Sequence, residues 1–281
     1  MSSILTNNGA MVALQTLKSI NGNLNDVQNQ ISTGKEIATA KDNSAIWAIS
    51  KVMESDVSGF NAISDSLAVG ESTTAVASAG AEQIVDVLKE MKELAVAATS
   101  ETADFTKIEA DMLEKQEQIV SIISASQFNG VNLLATDADG AGGTQLTVLS
   151  SLDRAGAGST PAISTIDVAS VDFEANLDVA GRTNIADAAT AQTALDEIDG
   201  FLQTAIEGAA QLGAEAKRIS DQNEFVGKLT DAMKTGIGAL VDADMEEASA
   251  RLQALQTQQQ LGVQALSIAN QAPQSILSLF R

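Results

Sequence analysis

No cysteine and no histidine occurs in the 281 residues, tyrosine is missing too, and Trp47 is the single tryptophan. These gaps remove thiol nucleophiles, disulfides, the usual zinc ligands and the commonest general base together. The enzyme classes built on those groups are excluded, so no catalytic, metal or cofactor-binding residue is expected and the chain reads as a non-enzyme. Lack of cysteine also suits a chain that must cross membranes without cross-linking. Proline occurs twice and aromatic residues make up 3%, so the 44% hydrophobic content is mostly Ala, Leu, Ile and Val. That mixture favours long helices over compact mixed folds.

Basic charge is scarce as well, with 16 Lys and Arg against 37 Asp and Glu. Phosphate binding needs a basic surface, so neither nucleic acid nor an anionic membrane is an expected partner. The charge is also unevenly placed. Residues 1–34 carry only Lys18 and Asp26, and residues 252–281 carry only Arg281. Chain ends are normally the most solvated part of a protein, so uncharged ends are expected to be covered by other protein. The start, MSSILTNNGAM, lacks the basic head and apolar run of a signal peptide, and export by another route is expected. The uncharged C-terminal stretch is too rich in Gln, Ser and Asn for membrane insertion.

What is present is helical periodicity. A 3-4 alternation of apolar residues runs from Ile46 to Ala98, broken only by Asp56, Gly70 and Thr74. At ~1.5 Å per residue this seam is about 80 Å long. A second seam of matching length runs from Ala188 to Leu240. Neither helix could bury such a stripe alone, so the two are expected to pair antiparallel as a rod. A shorter stripe of Phe105, Ile108, Met112, Ile119 and Ile122, interrupted by Lys115, would fold back on the first. FNGVNLL then ends it, with Asn129 and Gly130 supplying the turn. Between residues 135 and 182 the runs TQLTVL and AISTIDV flank GAGSTP, which predicts a small β-hairpin.

The ends differ again. Leu17, Ile20, Leu24, Val27 and Ile31 form a seam that stops at Gly34. In the last segment Met245, Ala248, Leu252 and Leu255 set a seam, QTQQQ interrupts it, and Leu261, Ala265, Ile268 and Ala272 continue on another face. A helix apolar on more than one side is covered on more than one side. Two terminal helices cover only one face of each other, so self-association is expected through the rest. The residues predicted to pack between subunits are Leu17, Ile20, Leu24, Val27, Ile31, Leu255, Leu261, Leu266, Ile268 and Leu279. In the linkers, Asp42, Asn43 and Ser44 are candidate helix caps, as is Asp244 with Glu247 three residues on. Asp242, Asp244, Glu246 and Glu247 are hard oxygen ligands, but capping explains them more simply than a metal. Trp47 is expected to pack against the returning linker or a neighbour.

The expected fold class is thus mostly α: a long antiparallel helical rod with terminal coiled-coil helices and a small β-hairpin region. Residues 1–34 and 245–281 form the terminal domain, 35–44 and 235–244 the linkers, 45–134 and 183–234 the rod, and 135–182 the small β region.

These same residues resemble the bacterial flagellins. The family's N-terminal Ser-Ser-Gly, its Lys-Asp-Asp and its Ala-Ile-Ser motifs reappear in STGKEIATAKDNSAIWAIS, and ELAV stands at Glu93 to Val96. FNGVNLL, LGAEAKR, DADMEEASARLQ and ANQAPQSILSLF follow in the family's order. Glu36, Ile46, Trp47, Lys217 and Phe280 depart from the usual residues. The resemblance implies a secreted, extracellular filament subunit whose terminal helices line a tube with the rod helices outside them. It further implies type III export, a chaperone on the C-terminal segment, and contacts with the filament cap and junction proteins. In this family LKEMKELAVAATS, with Glu90, Glu93 and Leu94, corresponds to a segment read by a Toll-like innate receptor. Glu90 stands where many members carry Arg, so weak receptor activation is expected. A metalloprotease centre, which some flagellins resemble in their central region, needs histidines this chain lacks. The alternative is a hook-filament junction protein or another exported coiled-coil protein.

Overall fold

The structure is a computed structural model that describes residues 7–153 and 162–278, with side chains as far as Gln271. Among the described residues there are six α-helices and one two-stranded antiparallel sheet. In chain order these are α1 (Asn8–Thr33), α2 (Ser44–Ala98), α3 (Phe105–Ala125), β1 (Gln145–Asp153), β2 (Ala162–Ala169), α4 (Phe173–Asn176), α5 (Ala188–Val241) and α6 (Met245–Ser278). The chain packs as two units, Asp56–Asp231 and the segments up to Ser55 and from Ala232 onward.

In the Asp56–Asp231 unit, α2 and α5 run antiparallel. Ser64 donates to Asn223 Oδ1 at 2.7 Å, and Lys92 pairs with Asp199 at 2.6 Å further along. Leu67, Ile84, Leu88 and Met91 of α2 are buried with Ile198, Leu212 and Ile219 of α5. Asp104 caps the start of α3 by accepting from Lys107 N, and α3 contributes Met112 and Ile119 to the core. Lys115, the interruption in its stripe, reaches Glu90 of α2 and forms an ion pair there.

The hairpin lies where predicted, β1 paired to β2 with an irregularity between Leu149 and Ser151. The segment GAGSTP lies outside the described residues. β1 rests on α2 and α5: Leu149 N donates to Ser66 Oγ at 3.3 Å and Gln222 Nε2 to the Ser150 carbonyl at 2.8 Å. Gly70, a gap in the α2 seam, is where Val148 seats; a Cβ there would meet Val148 Cγ2 at 2.6 Å. Thr74, a second gap, is fully buried and returns its hydroxyl to Gly70 O at 2.9 Å. Phe173 of α4 uses Gly208 of α5 in the same way.

The segment after the hairpin is fastened by two carboxylates. Glu109 of α3 accepts from Nη1 and Nη2 of Arg182, at 3.1 and 2.8 Å, and from Ile185 N at 2.9 Å. Glu197 of α5 accepts Thr183 N and Oγ1 at 2.6 and 2.8 Å. The Arg182 side chain is only 1% exposed.

In the other unit, α1 ends at Gly34 in the left-handed region (φ 69°), whose N–H returns to Gln30 O at 2.8 Å. The two linkers then bridge each other: Glu36 N donates to Val241 O, and Ala243 N to Gly34 O. The second linker is shorter than the expected 235–244, because α5 stays helical to Val241. Asn43 is the residue that caps α2, accepting from Ala45 and Ile46 N at 3.1 and 3.2 Å. Asp42 instead closes the preceding turn on Thr39 N and Ala38 N, and those backbone bonds hold its carboxyl below the ordinary carboxylate value.

Candidate assembly interface

The site begins with the α6 cap. Asp244 Oδ1 accepts from Glu246 N and Glu247 N at 2.9 and 3.1 Å, satisfying two donors that a helix start leaves open. Glu247 pairs with Arg251 one turn on, at 3.2 Å. Among the described residues no group of three possible ligands could hold a metal ion.

From that cap α6 runs back along α1. Leu24, Val27, Ala248 and Leu255 are buried at the seam, with Ile20, Ile31 and Leu252 packed against them. Further along, Leu17 closes over Gly262, where a Cβ would stand 2.9 Å from Leu17 Cδ1. The QTQQQ interruption has a partner as well: Gln259 Nε2 donates to Asn21 Oδ1 at 2.7 Å. Beyond it, Asn7 Nδ2 donates to Ala269 O at 2.7 Å. The pairing is antiparallel and regular from Asp242 opposite Lys35 to Ala269 opposite Asn7.

This geometry divides the residues expected between subunits. Leu24, Val27 and Leu255 are buried inside the chain, and Leu17, Ile20, Ile31 and Leu266 are half-buried. Leu261 and Ile268 stand 58% and 69% exposed. Leu279 lies outside the described residues. Sequence reasoning passed over Met11, Val12, Leu14 and Val263, all more than half exposed. Their signal was legible: they are apolar residues off the seam in helices almost devoid of charge.

Of the residues expected to form a receptor-read segment, Glu93 is exposed and Leu94 half-buried, while exposed Glu90 is ion-paired to Lys115. No helix among the described residues is long and apolar enough to cross a membrane.

Residues 4–139 match the model for the bacterial flagellin N-terminal helical region, and residues 195–280 the model for the C-terminal helical region. The whole chain aligns with 99% of flagellin FljK of Caulobacter vibrioides at 45% identity. It aligns with the full length of a flagellin of Brucella melitensis at 40% identity. In fold it is similar to the structure of a putative flagellar hook-associated protein from Vibrio parahaemolyticus, with a TM-score of 0.56 at 14% identity over 72% of this chain and 100% of that one. With both terminal regions matched and relatives aligned from end to end, the chain belongs to the bacterial flagellin family, the structural subunits of the flagellar filament.

Proposed function

We propose that the subunit grips its neighbours in the filament through the outer, apolar faces of α1 and of α6 beyond Leu252. The observation that carries this is the exposure of Met11, Val12 and Leu14 on one helix and Leu261, Val263 and Ile268 on the other. Full burial of one such side chain gains about 1.5–3 kcal/mol. Several must act together to offset the ~4–15 kcal/mol that association costs. A helical polymer, which surrounds each subunit, supplies that many contacts. The charge-free sequence from Leu252 to Phe280 fits the same role, since no ionisable group would be stranded by burial.

In this reading the partly covered residues Leu17, Ile20, Ile31 and Leu266 complete their burial against neighbouring subunits. Leu24, Val27 and Leu255 hold α1 to α6 within the subunit. The paired helices line the tube, and the filament converts motor rotation into thrust. Before assembly, the exposed C-terminal helix needs a guard against premature association, a role that fits an export chaperone. Export proceeds through the type III apparatus, and the cap and junction proteins meet the same terminal helices at the filament's two ends.

Electron microscopy of purified protein seeded with filament fragments tests this, comparing the full chain with one lacking residues 252–281. Long uniform filaments from the full chain alone are expected. A truncated chain that polymerised equally well would remove the terminal helices from the interface.

A further inference from the structure

The one proline of α6 is Pro273, inside a helix that runs from Met245 to Ser278. A proline has no N–H, so the carbonyl four residues earlier loses its helical donor. That carbonyl belongs to Ala269. A backbone acceptor without its partner must be satisfied by water or by another group.

Asn7 is that group. Its Nδ2 donates to Ala269 O at 2.7 Å, while its Oδ1 accepts from Ala10 N at 3.1 Å as the N-cap of α1. One planar amide therefore starts one helix and completes the bonding of the other. The helices are close at this point: a Cβ at Gly9 would stand 3.9 Å from the Cβ of Ala269. Toward the middle of the pair, the Gln259–Asn21 bond is a second polar contact in register with the first.

We infer that Asn7 is a positioning residue that sets the register of the paired ends, by reading the one interior carbonyl of α6 that Pro273 leaves open. Small and aliphatic residues along the seam discriminate poorly between registers, because a leucine shifted by a turn or a heptad meets another leucine or alanine. Polar groups discriminate well. In a shifted pair Asn7 faces a carbonyl already bonded within the helix, Ala269 O loses its donor, and Asn21 and Gln259 are buried against apolar side chains. The inference rests on the role proposed above for the terminal helices, but its readout does not require polymerisation.

The test uses the full-length monomer, whose native sequence has no cysteine to compete. Gly9→Cys with Ala269→Cys places two thiols at a separation inside the ~3.5–4.5 Å Cβ range of disulfides. The equilibrium constant for the intrachain disulfide in glutathione buffer then reports the register. It is measured in four backgrounds: unchanged, Asn7→Asp, Pro273→Ala, and both. Asn7→Asp keeps the capping oxygen but removes the donor; Pro273→Ala returns an N–H to Ala269. Circular dichroism of each variant confirms that the helices persist.

Asn7→Asp is expected to lower the constant about five- to tenfold beside Pro273, the effect of one half-buried hydrogen bond, and by less than about twofold beside Ala at 273. An equal loss in both backgrounds, or none in either, overturns the inference. Disulfides formed between chains rather than within one overturn it too. Filament growth by the uncross-linked variants is scored separately. A monomer that shows the expected coupling but never polymerises leaves the register assignment standing and removes the assembly reading.

Discussion

Val148 of β1 lies directly over Gly70 of α2, so close that a Cβ at 70 would fall 2.6 Å from Val148 Cγ2 and 3.0 Å from Cγ1. A glycine inside a helix ordinarily costs about 0.5–1 kcal/mol relative to alanine. Here Gly70→Ala is expected to lower the stability of the monomer by about 1–2 kcal/mol, because overpacking against a buried β-branched side chain exceeds that gain. Gly213 of α5 has nothing within 4 Å of its would-be Cβ, so Gly213→Ala is expected to stabilise by about 0.5–1 kcal/mol. Urea unfolding of the two variants should shift in opposite directions; a shift in the same direction would break the argument.

Arg182 is almost wholly buried against Glu109, a carboxylate that also receives Ile185 N. Removing one partner of such a pair leaves the other charge uncompensated. Arg182→Ala is expected to destabilise the monomer by about 3 kcal/mol. Amide hydrogen exchange should rise first in residues 178–186, which the pair fastens. A uniform rise along the chain would mean that the pair is not a local clasp.

The seam and the outer face of the terminal helices should respond in opposite ways. Leu255→Ala removes a buried side chain and is expected to weaken the α1–α6 pairing by about 2–3 kcal/mol. Ile268→Asp alters a residue 69% exposed, so the monomer's helical signal should be unchanged while seeded filament growth stops. Growth at the normal rate with Asp at 268 would show that this face is not buried in the filament.

Asp42, Asp139 and Asp187 are each held below the ordinary carboxylate value, chiefly by backbone N–H bonds from Thr39, Gly143 and Thr190 respectively. A depressed native value means that the unfolded chain binds more protons. The stabilisation is therefore complete above the unfolded value of 3.8 and is lost as pH falls through the lower native values. Since the chain has no histidine, no imidazole titrates between pH 5 and 8. Urea midpoints of the monomer should be nearly flat through that range and fall steeply below about pH 4. Asp42→Asn should flatten part of the acid limb; an unaltered limb would remove Asp42 from the account.

The family resemblance implies an innate-receptor contact at Glu90, with Arg the residue expected there, and the carboxylate is instead paired with Lys115. Weak activation of the Toll-like receptor by purified monomer is the expected outcome in a reporter-cell assay. Strong activation would show that this position does not govern recognition.

Much of the architecture was readable before any coordinates. The seams from Ile46 and Ala188, the stop at Gly34, the hairpin strands around residues 145 and 162, and the cap at Asp244 follow from local periodicity and backbone preferences, which act over a few residues. Which residue performs a given local task was less certain: Asn43 caps α2, while the neighbouring Asp42 closes a turn, and both carry a suitable side-chain oxygen. The amino-acid order alone determined that the ends would be helices poor in charge, with more apolar surface than one partner can cover. It also placed Pro273 so that Ala269 would lack a helical donor. Only the tertiary structure decided who supplies that donor, because Asn7 lies 262 residues away and its amide is indistinguishable in sequence from any other. The same holds for Gly70, Lys115 and Gln259, which look like flaws in a seam until Val148, Glu90 and Asn21 are brought against them. Periodicity is a local property, whereas the fit of a gap to a side chain depends on which distant segments the folded chain brings together.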